Sequence, residues 1–316
     1  MKWKKLGKIF DPSNFKLPFN CSSFAKSPQA IVFDNYVRIY FSAVAQDETG
    51  KYLSHVVFVD FDKAFKNILN VSHETVLPLG NLGCFDEHGI FPFSPVKINK
   101  QIYAYTSGWS RRVSVSVETG IGLAISNDDG VTFQKYGEGP VLSASLYEPN
   151  LVVDGFVREF DSIFHMWYIF GTEWKQFSEN SEPDRIYKIG HAVSSDGINW
   201  IKEGKQILPS IFDDESQALP TVIKIKNRFH MFFCYRKSFD FRNNPKNSYR
   251  IGYAYSDDLK TWIRDDKEGG IDVSPDGWDS DMMAYPNVFV MDDQIYMLYN
   301  GNEFGRYGFG LAQLEC

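Results

Sequence analysis

A pattern of glycine, alanine, turn and tryptophan recurs along this chain at intervals of tens of residues, and a chain made of such copies folds by repeating one small unit. Residues 189–208, IGHAVSSDGINWIKEGKQIL, hold the fullest copy. Ile189, Gly190, His191, Ala192, Val193 and Ser194 put small or apolar side chains at alternate positions, as a strand packed between two others does. Ser195, Asp196, Gly197 and Asn199 supply turn chemistry, glycine for φ > 0 and the polar side chains for local backbone bonds. Trp200 then opens a further strand, expected to run to Leu208. The same order appears from Ile121 through Asp129 and Gly130 to Phe133, and from Ile251 through Asp258 to Trp262. A fourth copy, Phe309, Gly310, Leu311 and Ala312, has no turn after it.

Prolines followed by β-branched or apolar residues mark where each unit begins: Pro28, Pro95, Pro149, Pro220 and Pro286, at intervals of 67, 54, 71 and 66 residues. Proline is tolerated at the first residue of a strand, where its missing N–H is not needed, so each is read as opening an innermost strand. Short polar hairpins follow, at Asp34-Asn35, Asn99-Lys100, Asp154-Gly155, Asn227 and Asp292-Asp293, and then aromatic strands from Val37, Gln101, Phe164, Phe229 and Gln294. Strand three is the Gly-x-Ala segment and strand four follows its turn. Four antiparallel strands repeated five times predict an all-β fold, a five-bladed β-propeller occupying the whole chain as one domain. Its blades fall approximately at 20–80, 84–142, 146–208, 215–267, and 279–316 joined by 1–11.

The ring is expected to close through its N-terminal strand. The stretch from Trp3 to Phe10 resembles that from Trp200 to Ile207, with glycine four residues after tryptophan in both, so it supplies the outer strand that the last blade lacks. The first blade is the weak copy: Ser54 to Val59 lacks the glycine, and 62–69 reads as a short helix. A six-bladed sialidase-type ring is the rival, because Ser126 to Phe133 fits the pattern S-x-D-x-G-x-T-F/W. Only that copy fits.

A net charge of -7 speaks against a general nucleic-acid binder. No apolar run follows the N-terminal lysines and none reaches membrane-spanning length, which argues against secretion and a membrane partner and for a cytoplasmic location. Cys21, Cys84, Cys234 and Cys316 show no C-x-x-C spacing and read as reduced thiols.

Strand direction places the loops between strands two and three, and the segments before each proline, around one mouth of the channel. The acids cluster there: Asp86 and Glu87 with His88, then Glu148, Glu215, Asp279 and Asp281. Glycoside chemistry needs such carboxylates, one protonated to assist the leaving group and one ionised to activate water or attack carbon. Capping of loops by exposed acids is the plainer alternative. Trp109, Trp174 and Tyr285 are placed to stack on sugar faces, or to join the core. Arg236 and Arg250 sit in a loop with three further cations against one acid, which points to an anionic group on the substrate or to a solvated loop. His88 is the one histidine among the mouth acids, whereas His165 and His230 read as structural.

At this point the chain resembles the five-bladed propellers of glycoside hydrolase families 43, 32, 68 and 130. Phe85 to Gly89, Trp278 to Met282 with Tyr285-Pro286, and Tyr299 to Asn302 resemble an uncharacterised group of these propellers associated with bacterial surface-polysaccharide synthesis. The family-43 pattern puts an acid directly before the inner-strand proline. Only Glu148 before Pro149 matches it here, since Ser27 and Leu219 stand at two of the other positions. The resemblance implies a carbohydrate-active enzyme, first a glycoside hydrolase with Asp86, Glu148, Glu215 and Asp281 as catalytic acids. Glu87, His88, Trp109, Arg111, Trp174, Arg236, Arg250, Asp279, Tyr285 and Asn302 would then bind substrate. A sugar transferase or phosphorylase-type enzyme, with Arg236 and Arg250 on a phosphate, and a non-catalytic glycan binder are the alternatives. No metal or other cofactor is expected, although a channel-bound ion stays open.

Overall fold

The computed structural model describes residues 1–21, 23–179 and 181–315, so the expectation for Cys316 lies outside the described residues. Among the described residues twenty strands carry the fold, and the only helical segments are four short 3-10 turns. In chain order they are β1 (Trp3–Phe10), β2 (Ser23–Val32), β3 (Tyr36–Gln46), β4 (Tyr52–Asp62), β5 (Ile68–Val71), β6 (Gly89–Ile98), β7 (Gln101–Arg111), β8 (Val117–Ser126), β9 (Gln134–Lys135) and β10 (Asn150–Phe160). There follow β11 (Ile163–Lys175), β12 (Asp184–Ser194), β13 (Ile201–Lys202), β14 (Glu215–Ile225), β15 (Arg228–Lys237), β16 (Arg250–Ser256), β17 (Ile263–Arg264), β18 (Ala284–Met291), β19 (Gln294–Asn300) and β20 (Phe309–Leu314). None of the helices is long and apolar enough to cross a membrane.

Strands β10 to β13 form one antiparallel sheet and β14 to β17 another, each ordered as in the sequence. Strands β2 to β5 and β6 to β9 are joined into one sheet by a single parallel bridge, Ser54 to Gly89. In the remaining sheet β1 pairs with β20, from Trp3 opposite Leu314 to Phe10 opposite Phe309, so the N-terminal segment is the outer strand beside the last one. The first strands touch in a cycle, β2 on β6, β6 on β10, β10 on β14, β14 on β18 and β18 on β2. Aromatic side chains fill the gaps between neighbouring sheets; Phe10, Phe41 and Phe309, for example, meet at ring separations of 5.0 to 5.9 Å.

Several local expectations change. Three of the innermost strands start before their prolines and hold them at β-bulges, at Pro28, Pro220 and Pro286. Register shifts at Lys26/Gln29, Ile90/Phe93, Asn150/Val153, Ala218/Thr221 and Ala284/Asn287 put Ser27-Pro28, Phe91-Pro92, Leu151-Val152, Leu219-Pro220 and Tyr285-Pro286 at matching places. Pro95 and Pro149 are therefore out of step with the other three. Ser27, Leu151, Leu219 and Tyr285 each adopt positive φ, between 45° and 59°. That conformation costs a side-chain-bearing residue about 1–2 kcal/mol, so four copies at one level of the molecule indicate a demand for it there. The hairpin expected at Asp154-Gly155 lies instead at Asp161-Ser162, because β10 runs on to Phe160. Residues 62–69 form a turn and the start of β5 rather than a helix, and the outer strands β9, β13 and β17 are only two residues long.

The Gly-x-Ala element has a packing cause. Gly122, Gly190, Gly252 and Gly310 lie under the rings of Phe85, Tyr168, Phe233 and Trp278, and a Cβ on Gly252 would stand 2.4 Å from the Phe233 ring. We expect Gly252→Ala to lower stability by about 1–3 kcal/mol through overpacking, read as a drop in the urea midpoint with an unchanged slope. The Ser-Asp turns that follow are alike in all three copies, Ser126, Ser194 and Ser256 each donating to the Asp two residues on at 2.7, 2.9 and 3.0 Å.

Candidate functional site

Residues at four of the five bulges, Phe91, Leu151, Leu219 and Tyr285, line a cavity of about 410 Å³, and Lys26, directly before the fifth, lines it too. The rest of the wall comes from other strand residues, Trp109 of β7 and Arg236 of β15 among them, and from the loop after β15 through Phe241, Arg242 and Tyr249. At Leu151, Leu219 and Tyr285 the positive φ in the bulge turns the side chain across the strand direction, which accounts for their reaching a common opening.

Of the acids singled out in the sequence, none lines this cavity. Asp86, Glu148, Glu215 and Asp279 are buried, and each makes an ion pair with a cation on the outermost strand of its own sheet or group. Asp86 lies 2.6 Å from Lys135, Glu215 2.6 Å from Arg264 and Asp279 2.8 Å from Lys5, while Glu148 contacts Lys202 and the Tyr168 hydroxyl. The cations stand opposite the alanine of each Gly-x-Ala element: Lys135 pairs with Ala124, Lys202 with Ala192, Arg264 with Ala254 and Lys5 with Ala312. The small side chains leave a channel across the sheet through which the cation reaches the acid. Four separate sheets or groups thus use one device, an acid at the start of the first strand or shortly ahead of it clasped to a base on the last.

The other predicted residues divide in two. Trp109, Arg236 and Tyr285 line the cavity. His88 stacks on Trp109 at 6.0 Å and accepts from the Arg111 backbone N–H at 3.3 Å; burial and the Arg111 charge hold its pKa below the ordinary histidine value. Arg111 is paired with Asp47 at 3.0 Å and donates to the Tyr52 carbonyl, and Glu87 accepts from the Gly83 N–H. The Trp174 ring lies 5.8 Å from the guanidinium of Arg185, which does line the cavity. Arg250 donates to the carbonyls of Tyr249, Asp281 and Pro245, and Asn302 accepts from the Asp281 and Met282 N–H groups. Those two residues hold a loop around the exposed Asp281 and are absent from the cavity wall.

Asp154 is the one carboxylate among the residues lining the cavity. It sits at positive φ two residues after the Val152 bulge position, accepts from the Leu219 N–H at 3.2 Å, and has its own N–H bound to Ser107 Oγ at 3.0 Å. Burial pushes its pKa up to about 7, against the pull of the Leu219 N–H and of Arg185. Four cations, Lys26, Arg185, Arg236 and Arg242, share the cavity wall with it. Arg236 is 1% exposed, stacks on Phe241 at 3.5 Å and leaves its Nε without a partner; Asp184 lies 3.6 Å from it and 3.2 Å from Arg242. The hydroxyls of Tyr187 and Tyr249 meet at 2.5 Å, and burial lifts the Tyr249 and Tyr285 pKa values well above the phenolic range. At neutral pH the cavity therefore offers a proton on a carboxyl, aromatic walls and an excess of positive charge.

Asp154 was missed because it reads as half of an Asp-Gly turn. The available signal was arithmetic: a hairpin at 154–155 leaves 156–163 without an element, whereas Asp161-Ser162 closes two strands of normal length.

Over 316 residues, the whole of both proteins, the sequence is 34% identical to "Uncharacterized protein Rv1502" of Mycobacterium tuberculosis (strain ATCC 25618 / H37Rv) and to "Uncharacterized protein MT1551" of strain CDC 1551 / Oshkosh. A 123-residue stretch, 37% of this chain and 38% of the relative, is 33% identical to the beta-1,2-mannobiose phosphorylase of Thermoanaerobacter sp. (strain X514). No protein-family model matches. Among solved structures, a glycoside hydrolase superposes with a TM-score of 0.73 at 15% identity, covering 99% of this chain and 91% of the other. A member of the GH130 family of mannoside phosphorylases and glycoside hydrolases superposes with a TM-score of 0.71 at 14% identity, covering 99% and 93%. A thermostable family-43 glycoside hydrolase does so with a TM-score of 0.66 at 15% identity, covering 93% and 90%. The fold is thus that of the glycosidase propellers.

Proposed function

The chain belongs to one full-length family with the mycobacterial proteins Rv1502 and MT1551, and from its cavity we propose that it is a carbohydrate-active enzyme that cleaves a glycosidic bond with Asp154 as proton donor. The observation that carries this is the placing of one buried carboxyl, raised to a pKa of about 7, in an aromatic cavity whose wall also holds four cations. Hydrolysis by two carboxylates needs a second acid about 5–10 Å from the first, and Asp154 is the only acid among the residues lining the wall. An external anion can take the second acid's part, and inorganic phosphate suits the cations. A phosphate oxygen would attack the anomeric carbon as the glycosidic C–O bond breaks. The Asp154 proton passes to the departing oxygen, giving a sugar phosphate and a free alcohol, and the carboxyl is reprotonated from solvent. The partial likeness to a mannobiose phosphorylase favours the same reading over hydrolysis.

We read the architecture as a single five-bladed ring of four-stranded blades. The cycle of contacts among β2, β6, β10, β14 and β18 supports five, as does the single bridge between the two halves of the largest sheet. The setting we infer is bacterial surface-polysaccharide metabolism in the cytoplasm, on the resemblance of the segments around Asp86, Trp278 and Asn302.

The test is a panel of aryl glycosides and oligosaccharides, manno-oligosaccharides first, incubated with and without inorganic phosphate and followed by phosphorus NMR and reducing-sugar release. Phosphate-dependent appearance of a sugar phosphate is expected. Free sugar released equally well without phosphate would replace phosphorolysis by hydrolysis, and glycan binding without any turnover would leave only a binding module.

A further inference from the structure

We propose that Lys26 is the anion-responsive group of this cavity, an amine that gains a proton from solvent when a doubly charged anion binds and so makes anion binding proton-linked. The proposal rests on the reading of the cavity as an anion site and assigns one residue a role within it.

The argument begins from placement. Lys26 lies on β2, directly before the Ser27-Pro28 bulge, and lines the cavity with its ammonium 4.4 Å from the Phe24 ring centroid and 5.6 Å from that of Phe91. Among the described residues it has no hydrogen-bond or ion-pair partner, although other lysines of the same molecule find a carboxylate within 3 Å. The charged groups around it are Arg242 from the 238–249 loop and Arg185 from β12, with Arg236 of β15 and Asp154 of β10 on the cavity wall. Burial first, and then the two guanidinium charges of Arg242 and Arg185, push its pKa down to about 8. The aromatic rings soften that penalty for the cation without supplying a counter-charge.

The other groups leave the adjustment to few candidates. Arginine keeps its proton throughout the accessible pH range, so Arg185, Arg236 and Arg242 are fixed charges. Tyr249 and Tyr285 hold their protons because burial raises their pKa values. Asp184 already serves Arg236 and Arg242, at 3.6 and 3.2 Å. Among the described residues the Arg185 guanidinium makes no ion pair, having the Ser116 hydroxyl at 3.3 Å and the Trp174 ring beside it, and Asp154 is the carboxyl its charge acts on. A dianion entering this space offsets the repulsion from the two guanidinium groups and gives the buried ammonium the counter-charge it lacks, so the amine holds its proton more tightly. Asp154 is the second group able to respond, since an incoming anion also opposes its ionisation. The two responses must be separated.

Calorimetry of inorganic phosphate binding at pH 8.5, in buffers of different ionisation enthalpy, counts the protons taken up, because phosphate is already the dianion there. The measurement is made in the Asp154→Asn protein, which removes the carboxyl. A lysine titrating near 8 and held protonated by the bound anion gives an uptake of up to about 0.7 proton per phosphate bound. Asp154→Asn with Lys26→Arg keeps the charge and removes the titration, so binding should persist with uptake near zero. Asp154→Asn with Lys26→Met should bind phosphate about tenfold more weakly or worse. Equal uptake in the Lys26→Arg protein overturns the role given to Lys26 while leaving the anion site standing. Absence of phosphate binding in every protein, including wild type, overturns the anion site itself.

Discussion

Asp154→Asn is expected to reduce turnover about 100- to 10,000-fold, the span by which a positioned general acid speeds proton transfer, while leaving the melting temperature nearly unchanged. Asparagine keeps the size of the side chain and an oxygen to accept the Leu219 N–H, so the loss reports the proton rather than the fold. The pH profile gives an independent check. The active form carries the proton, and its pKa is held near 7, so wild-type activity should fall as pH rises through about 7. The residual activity of the Asn protein should lack that limb. An Asp154→Asn enzyme within twofold of wild type would remove Asp154 from the chemistry.

The second large effect concerns the clasps. Lys135→Met should cost about 3–5 kcal/mol of stability, because it strands a buried carboxylate whose compensating charge is gone. Among the described residues Lys135 is the one side chain that pairs with Asp86, which is 1% exposed. Adding Asp86→Leu to Lys135→Met removes the orphaned charge, and most of the lost stability should return, as apolar replacements of buried pairs are often neutral. Activity per folded molecule should be little changed in the double variant. Should it vanish while the fold survives, Asp86 would regain the catalytic role that its sequence context suggests.

The contrast between these two residues shows what the chain discloses on reading. Its repeats are legible because each copy meets the same packing problem: glycine under a ring, alanine beneath a crossing lysine or arginine, serine and aspartate closing a turn. The N-terminal outer strand is legible for the same reason, since Trp3 and Gly7 copy Trp200 and Gly204. The acids at or shortly ahead of the starts of the first strands stand out as a set for a related cause. A clasp recurring in four sheets or groups produces acids at similar places, and similarity of place looks like convergence on a site. Asp154 has no counterpart to be compared with, and Lys26 and Arg185 carry no local signature. Their proximity arises from bulges in several strands, and a bulge changes where a side chain points without changing the pattern of apolar residues that flags the strand.

The pairing of β1 with β20 bears on the order in which this molecule can be completed. Trp3 and Leu314 meet only after every strand between them exists, so on a ribosome β1 emerges well before its partner β20 and must wait for it. The waiting is a matter of time more than of free energy, because closing a loop twice as long costs only about 0.6 kcal/mol more. Non-local pairing chiefly slows the search. Lys5, which reaches Asp279 from that strand, can clasp it only once β1 is in place, and its arrival marks the moment at which the sheet of β18, β19, β20 and β1 becomes whole.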